Sequence, residues 1–149
     1  MSRAQKAVIP HPLEHAEQAA LMEWAECSRG KYPAVRLLYA VPNGGFRSPK
    51  TAAILKSEGV KRGIPDIHLP VPIDPFHGLY LELKRRGYSG RALGGRSCDQ
   101  AEWHKNLRKQ GYAVCTCYYG WDSAAEAIAA YLTGQMIMPG DGDCAFWGK

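Results

Sequence analysis

Ile64-Pro65-Asp66-Ile67-His68-Leu69 and, after a proline-rich connection, Gly78-Leu79-Tyr80-Leu81-Glu82-Leu83-Lys84 are the two most strand-like runs of the chain. Side chains alternate faces along a strand with period two. Leu79, Leu81 and Leu83 therefore share a buried face, and Tyr80, Glu82 and Lys84 share the other. The connection Pro70 to Gly78 contains three prolines and is predicted to be an exposed loop. A hairpin between the two runs brings Asp66 close to Glu82 and Lys84.

Two carboxylates and a lysine at the edge of a small sheet form a divalent-metal site with an ammonium beside it. That combination suits phosphodiester hydrolysis, in which the metal polarises the phosphate and activates water while the lysine orients it. Glu82-Leu83-Lys84 is the only Asp/Glu-x-Lys triplet in the chain, and it ends the most strand-like run. The competing reading is an exposed Glu-Lys pair on an edge strand, which would contribute little stability.

The chain has 149 residues, 46% hydrophobic and 22% charged, which is the size and composition of one globular domain. No apolar run approaches the roughly 18 residues of a membrane span. The N-terminus, Met1-Ser2-Arg3-Ala4-Gln5-Lys6, lacks the hydrophobic stretch of a signal peptide. A soluble, cytoplasmic protein with no membrane partner is expected. The formal charge of +5 suits a polyanionic partner. Basic residues flank the carboxylates in two blocks. Arg47, Lys50, Lys56, Lys61 and Arg62 precede Asp66, and Lys84, Arg85, Arg86, Arg91 and Arg96 follow the second strand. This layout fits a phosphate backbone lying across the site, with solubilising surface charge as the bland alternative. The five cysteines are scattered without Cys-x-x-Cys pairing, so neither a disulfide framework nor a zinc site is expected.

Residues 1–11 carry no pattern and read as a loose arm, residues 12–133 as a single domain, and residues 134–149 as a tail without a clear element. Leu13, Ala16, Ala20, Leu21 and Trp24 repeat at helical spacing. Val35 to Val41 reads as a strand stopped by the turn Pro42-Asn43-Gly44-Gly45, and Ser48-Pro49 opens a helix that ends near Gly59. Beyond the hairpin, a glycine- and arginine-rich segment from Arg85 to Ser97 leads to a helix from Cys98 to Gln110, a strand from Tyr112 to Tyr118 and a helix from Ser123 to Leu132. The order αβαββαβα predicts an α/β fold, a small mixed sheet with helices on its faces.

This order and these residues resemble the PD-(D/E)xK, restriction-endonuclease-like nucleases, and within them the VRR-NUC domain, the virus-type replication-repair nuclease. The resemblance spans nearly all of residues 13–133 in six ordered blocks. They are Glu14-His15-Ala16-Glu17-Gln18, Pro42-Asn43-Gly44-Gly45, the run from Leu55 to Asp66, Glu82-Leu83-Lys84, Gln100 with Trp103, and Gly111-Tyr112. It implies that Asp66, Glu82 and the backbone carbonyl of Leu83 ligate Mg²⁺ or Mn²⁺, that Lys84 handles the attacking water, and that Gln100 orients the Lys84 neighbourhood or a water. A helix-1 carboxylate completes the set. Glu14 has the family spacing to Gln18, whereas Glu17 lies within the apolar stripe of that helix, where a carboxylate needs a partner. Both stay open. Asn43, Arg47, Lys61, Arg62, Arg85, Arg86, Arg91 and Arg96 are expected to contact DNA.

Stand-alone virus-type members of this family act as homodimeric endonucleases on branched DNA, Holliday junctions among them. The chain resembles that class, since no DNA-binding or helicase domain is appended. The alternative is a catalytically silent module that binds nucleic acid within a nuclease complex. Intact Asp66, Glu82 and Lys84 favour the enzyme, because binding alone has no use for buried carboxylates facing phosphate.

Overall fold

The computed structural model of the chain describes residues 14–42, 47–84, 98–118, 120–136 and 144–146. Helix α1 (Glu14–Cys27) leads through a 3-10 helix (Pro33–Leu37) into strand β1 (Tyr39–Ala40). Helix α2 (Pro49–Ser57) precedes the hairpin of β2 (Ile67–Leu69) and β3 (Leu79–Leu83). Helix α3 (Cys98–Lys109), β4 (Ala113–Cys117), α4 (Trp121–Leu132) and β5 (Cys144–Phe146) follow. The strands form one sheet in the order β1-β2-β3-β4-β5. β1, β2 and β3 pair antiparallel, whereas β4 and β5 add in parallel. The expected small mixed sheet with packed helices is what the chain forms.

Register explains the core. Ile67 pairs with Leu81 and Leu69 with Leu79, while Leu79, Leu81 and Leu83 pair with Ala113, Cys115 and Cys117. All eight side chains lie on one face and are buried. Ala124, Ala127, Ile128 and Tyr131 of α4 cover that face, with Leu21 and Ala25 of α1 behind them. The small residues of β4 and α4 allow a close approach of helix to sheet. Tyr131 brings a polar tip into this layer and satisfies it by donating to the Val71 carbonyl at 2.6 Å. Cys115 and Cys117 are buried and not joined in a disulfide, as strand alternation predicts. On the opposite face α3 packs against β4, and the Arg108 guanidinium donates to the Val114 carbonyl at 3.1 Å.

Two elements differ from the sequence reading. The run from Val35 to Val41 is not a continuous strand. Pro33 opens a 3-10 helix instead, since its missing N–H and preset φ suit a first helical turn. Val35 N–H and Leu38 N–H close the turn onto the carbonyls of Tyr32 and Val35 at 3.0 Å each. Only Tyr39 and Ala40 remain as strand. The tail, read as lacking an element, supplies β5, whose residues pair with Cys115, Thr116 and Cys117. A three-residue strand made by long-range pairing leaves no periodicity to read.

Glu17 joins the two helices of the buried layer. It lies on the α1 stripe with Leu21 and Ala25 and is only 2% exposed. Its Oε2 accepts from Trp121 N–H, the first residue of α4, at 2.8 Å. The N-cap of α4 is Gly120, with φ 81° and no side chain to cap the helix, and a Cβ there would overlap the Glu17 carboxylate. A carboxylate from α1 therefore caps α4 and complements its positive end. Glu17→Ala leaves a buried N–H unpaired and should cost about 1–3 kcal/mol. Glu17→Gln, which retains a carbonyl acceptor, should cost less; urea unfolding monitored by circular dichroism compares the two.

Candidate active site

Asp66 stands immediately before β2, where the ladder Ile67↔Leu81 extends by one residue to set it opposite Glu82. Both neighbouring strands hold it. Its Oδ2 accepts from Leu83 N–H of β3 at 2.9 Å, and its backbone carbonyl accepts from Val41 N–H, just past β1, at 2.7 Å. Glu82 sits on the central strand and is 2% exposed. It points away from the leucine face, toward α3, as the alternation of β3 requires.

Lys84, two residues further along the same face, turns its ammonium back onto Glu82 Oε1 at 3.0 Å. Gln100, in the first turn of α3, donates through Nε2 to the same oxygen and accepts from Lys84 Nζ through Oε1 at 3.3 Å. Lysine, glutamate and glutamine thus close a ring of hydrogen bonds. The Lys84 backbone is pinned as well, its N–H donating to the Cys117 carbonyl at 2.8 Å. Glu82 Oε2 is buried and has no hydrogen-bond partner among the described residues. A buried carboxylate oxygen without a donor is costly, and a cation or water is the natural occupant of the space it faces.

Electrostatics point the same way. Burial pushes Asp66 up to about 6, against the opposing pull of the Leu83 N–H bond, with the Glu14 charge adding and Lys84 subtracting. Burial likewise pushes Glu82 up to about 7, the Asp66 charge adding to it and Lys84 opposing. One ammonium does not balance this concentration of negative charge. Among the described residues no group of three or more His, Cys, Asp or Glu side chains stands close enough to hold a metal together. Two hard oxygen donors with one unpartnered oxygen fit Mg²⁺ or Mn²⁺, which accept few protein ligands and complete their shell with water and phosphate.

The two helix-1 carboxylates separate cleanly. Glu17 is buried at the start of α4, where its Oε2 accepts from Trp121 N–H. Glu14 is exposed in the first turn of α1, and its charge reaches both Asp66 and Glu82. Of the residues expected to contact DNA, Lys61 and Arg62 are exposed on the loop that runs into Pro65-Asp66. Arg47 donates to the Pro42 carbonyl at 2.6 Å, beside the segment that pairs with Asp66. Asn43, Arg85, Arg86, Arg91 and Arg96 lie outside the described residues.

Sequence reasoning assigned no role to two further residues. Gly63, at φ 81°, lies so close to α3 that a Cβ would meet the Asp99 carbonyl carbon at 2.8 Å and the Gln100 backbone nitrogen at 2.9 Å. It lets the loop before Asp66 press against the turn that carries Gln100. Its place between two basic residues and Ile64-Pro65 marks a turn, although not what the turn touches. Thr116 pairs with Glu82 across β3 and β4, is fully buried, and its Oγ1 has no partner among the described residues. Only the register reveals it.

No family model and no curated protein matches the chain. Among solved structures it is similar to one described as a VRR_NUC domain protein, at 26% identity and a TM-score of 0.67. That similarity covers 84% of this chain and 92% of the other.

The raised carboxylate pKa values carry a sign. With Asp66 near 6 and Glu82 near 7 against unfolded values near 4, the folded protein binds more protons than the unfolded chain across that interval. Their contribution to stability is therefore present below pH 4 and lost as the pH rises to 7 and beyond. In EDTA, Asp66→Asn should gain on the parent protein between pH 5 and pH 8, by on the order of 2 kcal/mol at the upper end. Chemical denaturation across that pH range measures the difference, and a constant offset would show that the buried charge is not what costs stability.

Proposed function

Because this chain carries a VRR-NUC domain, a nuclease-type fold, we propose that it is a Mg²⁺- or Mn²⁺-dependent endonuclease that hydrolyses DNA phosphodiester bonds. The observation that carries the reading is the unpartnered Oε2 of Glu82, which stands opposite Asp66 and whose other carboxylate oxygen is held by Lys84 and Gln100. Asp66, Glu82 and the Leu83 backbone carbonyl would hold the ion. When bound, it supplies Lewis-acid polarisation of the scissile phosphate and a lower pKa for the attacking water.

The remaining work falls to the protein. Glu82 Oε1 is committed to Lys84 and Gln100, which leaves Oε2 for the cation and fixes the carboxylate plane. Lys84, with two of its three ammonium protons on Glu82 and Gln100, presents the third to the attacking water or to a phosphate oxygen, where negative charge develops. Gln100 holds both partners in register from α3, so that the donor is positioned before substrate arrives. Lys61, Arg62 and Arg47 attract the phosphate backbone, and Glu14 stands at the rim as an outer carboxylate. Branched DNA such as a Holliday junction is the proposed substrate. A symmetric dimer would present two such sites to opposing strands.

Lys84→Met keeps the length and apolar stem of the side chain and deletes its charge. It should slow the chemical step about 10²- to 10³-fold, while Mn²⁺ still binds, because an ammonium is not a ligand. Single-turnover cleavage of a branched DNA at saturating Mn²⁺ isolates that step. A variant within about threefold of the parent rate would reduce Glu82-Leu83-Lys84 to a strand-edge ion pair. Glu82→Ala and Asp66→Ala should abolish cleavage yet retain DNA binding in Ca²⁺, as read by electrophoretic mobility shift.

A further inference from the structure

On the sheet face that carries Glu82, α3 packs against β4. Toward β1 and β2, the described residues on that face include a group of rings. His68 stacks on Tyr80 with centroids 4.0 Å apart and planes 8° from parallel. Tyr112 meets both edge-on, at 6.1 Å from His68 and 5.3 Å from Tyr80. The outermost member is Tyr39 on β1, which is 48% exposed. Its hydroxyl is bound to His68 Nδ1 at 2.7 Å.

Tyr39 is therefore an exposed ring that cannot swing freely. His68 holds Tyr39 by its hydroxyl tip, with the two ring planes at 78°. No other described ring contacts Tyr39. A half-exposed aromatic held rigidly to a buried base has already given up much of the rotamer freedom that a contact would otherwise remove.

Its place on the sheet decides what such a ring could meet. Tyr39 pairs with His68, and His68 with Tyr80, in the row two residues along from Asp66 and Glu82, on the same face. One strand across and two residues along correspond to about 8 Å between the backbone positions of Tyr39 and Asp66. Arg47, anchored to the Pro42 carbonyl, closes the same edge with a positive charge. A nucleic-acid strand whose phosphate lies at the carboxylates would carry a neighbouring base over this ring.

We propose that Tyr39 is a stacking platform for an unpaired nucleobase adjacent to the phosphate at Asp66 and Glu82. The inference rests on the reading of those carboxylates as a phosphodiester site. A duplex base is already stacked within its helix and has no free face to offer, whereas single-stranded and junction nucleotides do. Tyr39 thereby gives the site a means of selecting DNA with unpaired bases, which requires no hydrogen-bond readout of sequence.

The test uses the full chain in Ca²⁺ with two probes, a single-stranded oligonucleotide carrying 2-aminopurine and the same sequence as a duplex. Stacking on Tyr39 should quench 2-aminopurine fluorescence in the single strand, with the parent protein and with Tyr39→Phe. Tyr39→Ala should abolish the quenching and weaken single-strand binding about 5- to 100-fold, leaving duplex binding within twofold. Circular dichroism and sedimentation velocity accompany each variant. Equal loss on both probes, unchanged quenching in Tyr39→Ala, or a change of oligomeric state in that variant would overturn the platform, the last by making Tyr39 a contact between copies. If Tyr39→Ala does not fold, an absence of quenching by the parent protein overturns it alone. Failure of the parent protein to bind either probe overturns the phosphodiester reading beneath it.

Discussion

A glutamate buried on the central strand of the sheet is the constraint around which the molecule is arranged. Glu82 is 2% exposed, and an ionised carboxylate at that depth is untenable without partners. Lys84 meets it from the same strand and Gln100 from the helix above, so a local and a long-range contact converge on one oxygen. The position of α3 follows. Gly63 permits the loop before Asp66 to press against the first turn of α3, and Arg108 ties the last turn to β4. The helix is held at both ends over the residue it serves.

The two faces of β3 divide the work. Leu79, Leu81 and Leu83 face α4 and α1 and supply burial, while Tyr80, Glu82 and Lys84 face α3 and the aromatic group. A five-residue strand thereby couples the core to the chemistry. Substitutions on the leucine face would act through stability, and substitutions on the other face through the site. The polar face is the less stable arrangement by itself. Asp66 and Glu82 resist ionisation because burial opposes it, and a divalent cation would relieve both. Such tension between stability and chemistry is characteristic of sites that await a charged ligand.

The elements carried by strong local signals were legible from the chain alone: the helices, the two hairpin strands, β4, and the meeting of Asp66 with Glu82 and Lys84. Periodicity and turn residues report local geometry, and all of these depend on it. The stretch from Val35 to Val41 failed as a continuous strand because Pro33 diverts Val35 to Leu37 into a 3-10 turn, and extended pairing begins only at Tyr39. Strand β5 failed because three residues with no pattern become a strand only when β4 offers its edge.

What the amino-acid order determined by itself was the set of groups that could form a site and the strand alternation that puts Glu82 and Lys84 on one face. Alternation is a property of the backbone and needs no partner. The different surroundings of the two helix-1 carboxylates were set only by tertiary structure. Helical spacing places Glu17 on the buried stripe, but the packing of α1 on α4 gives it to Trp121 N–H and leaves Glu14 to influence Asp66 and Glu82. The contacts of Gly63 with α3, of Thr116 beside Glu82, and of Tyr39 with His68 were equally invisible in the chain, because each joins segments far apart in sequence through a register that only the folded sheet establishes.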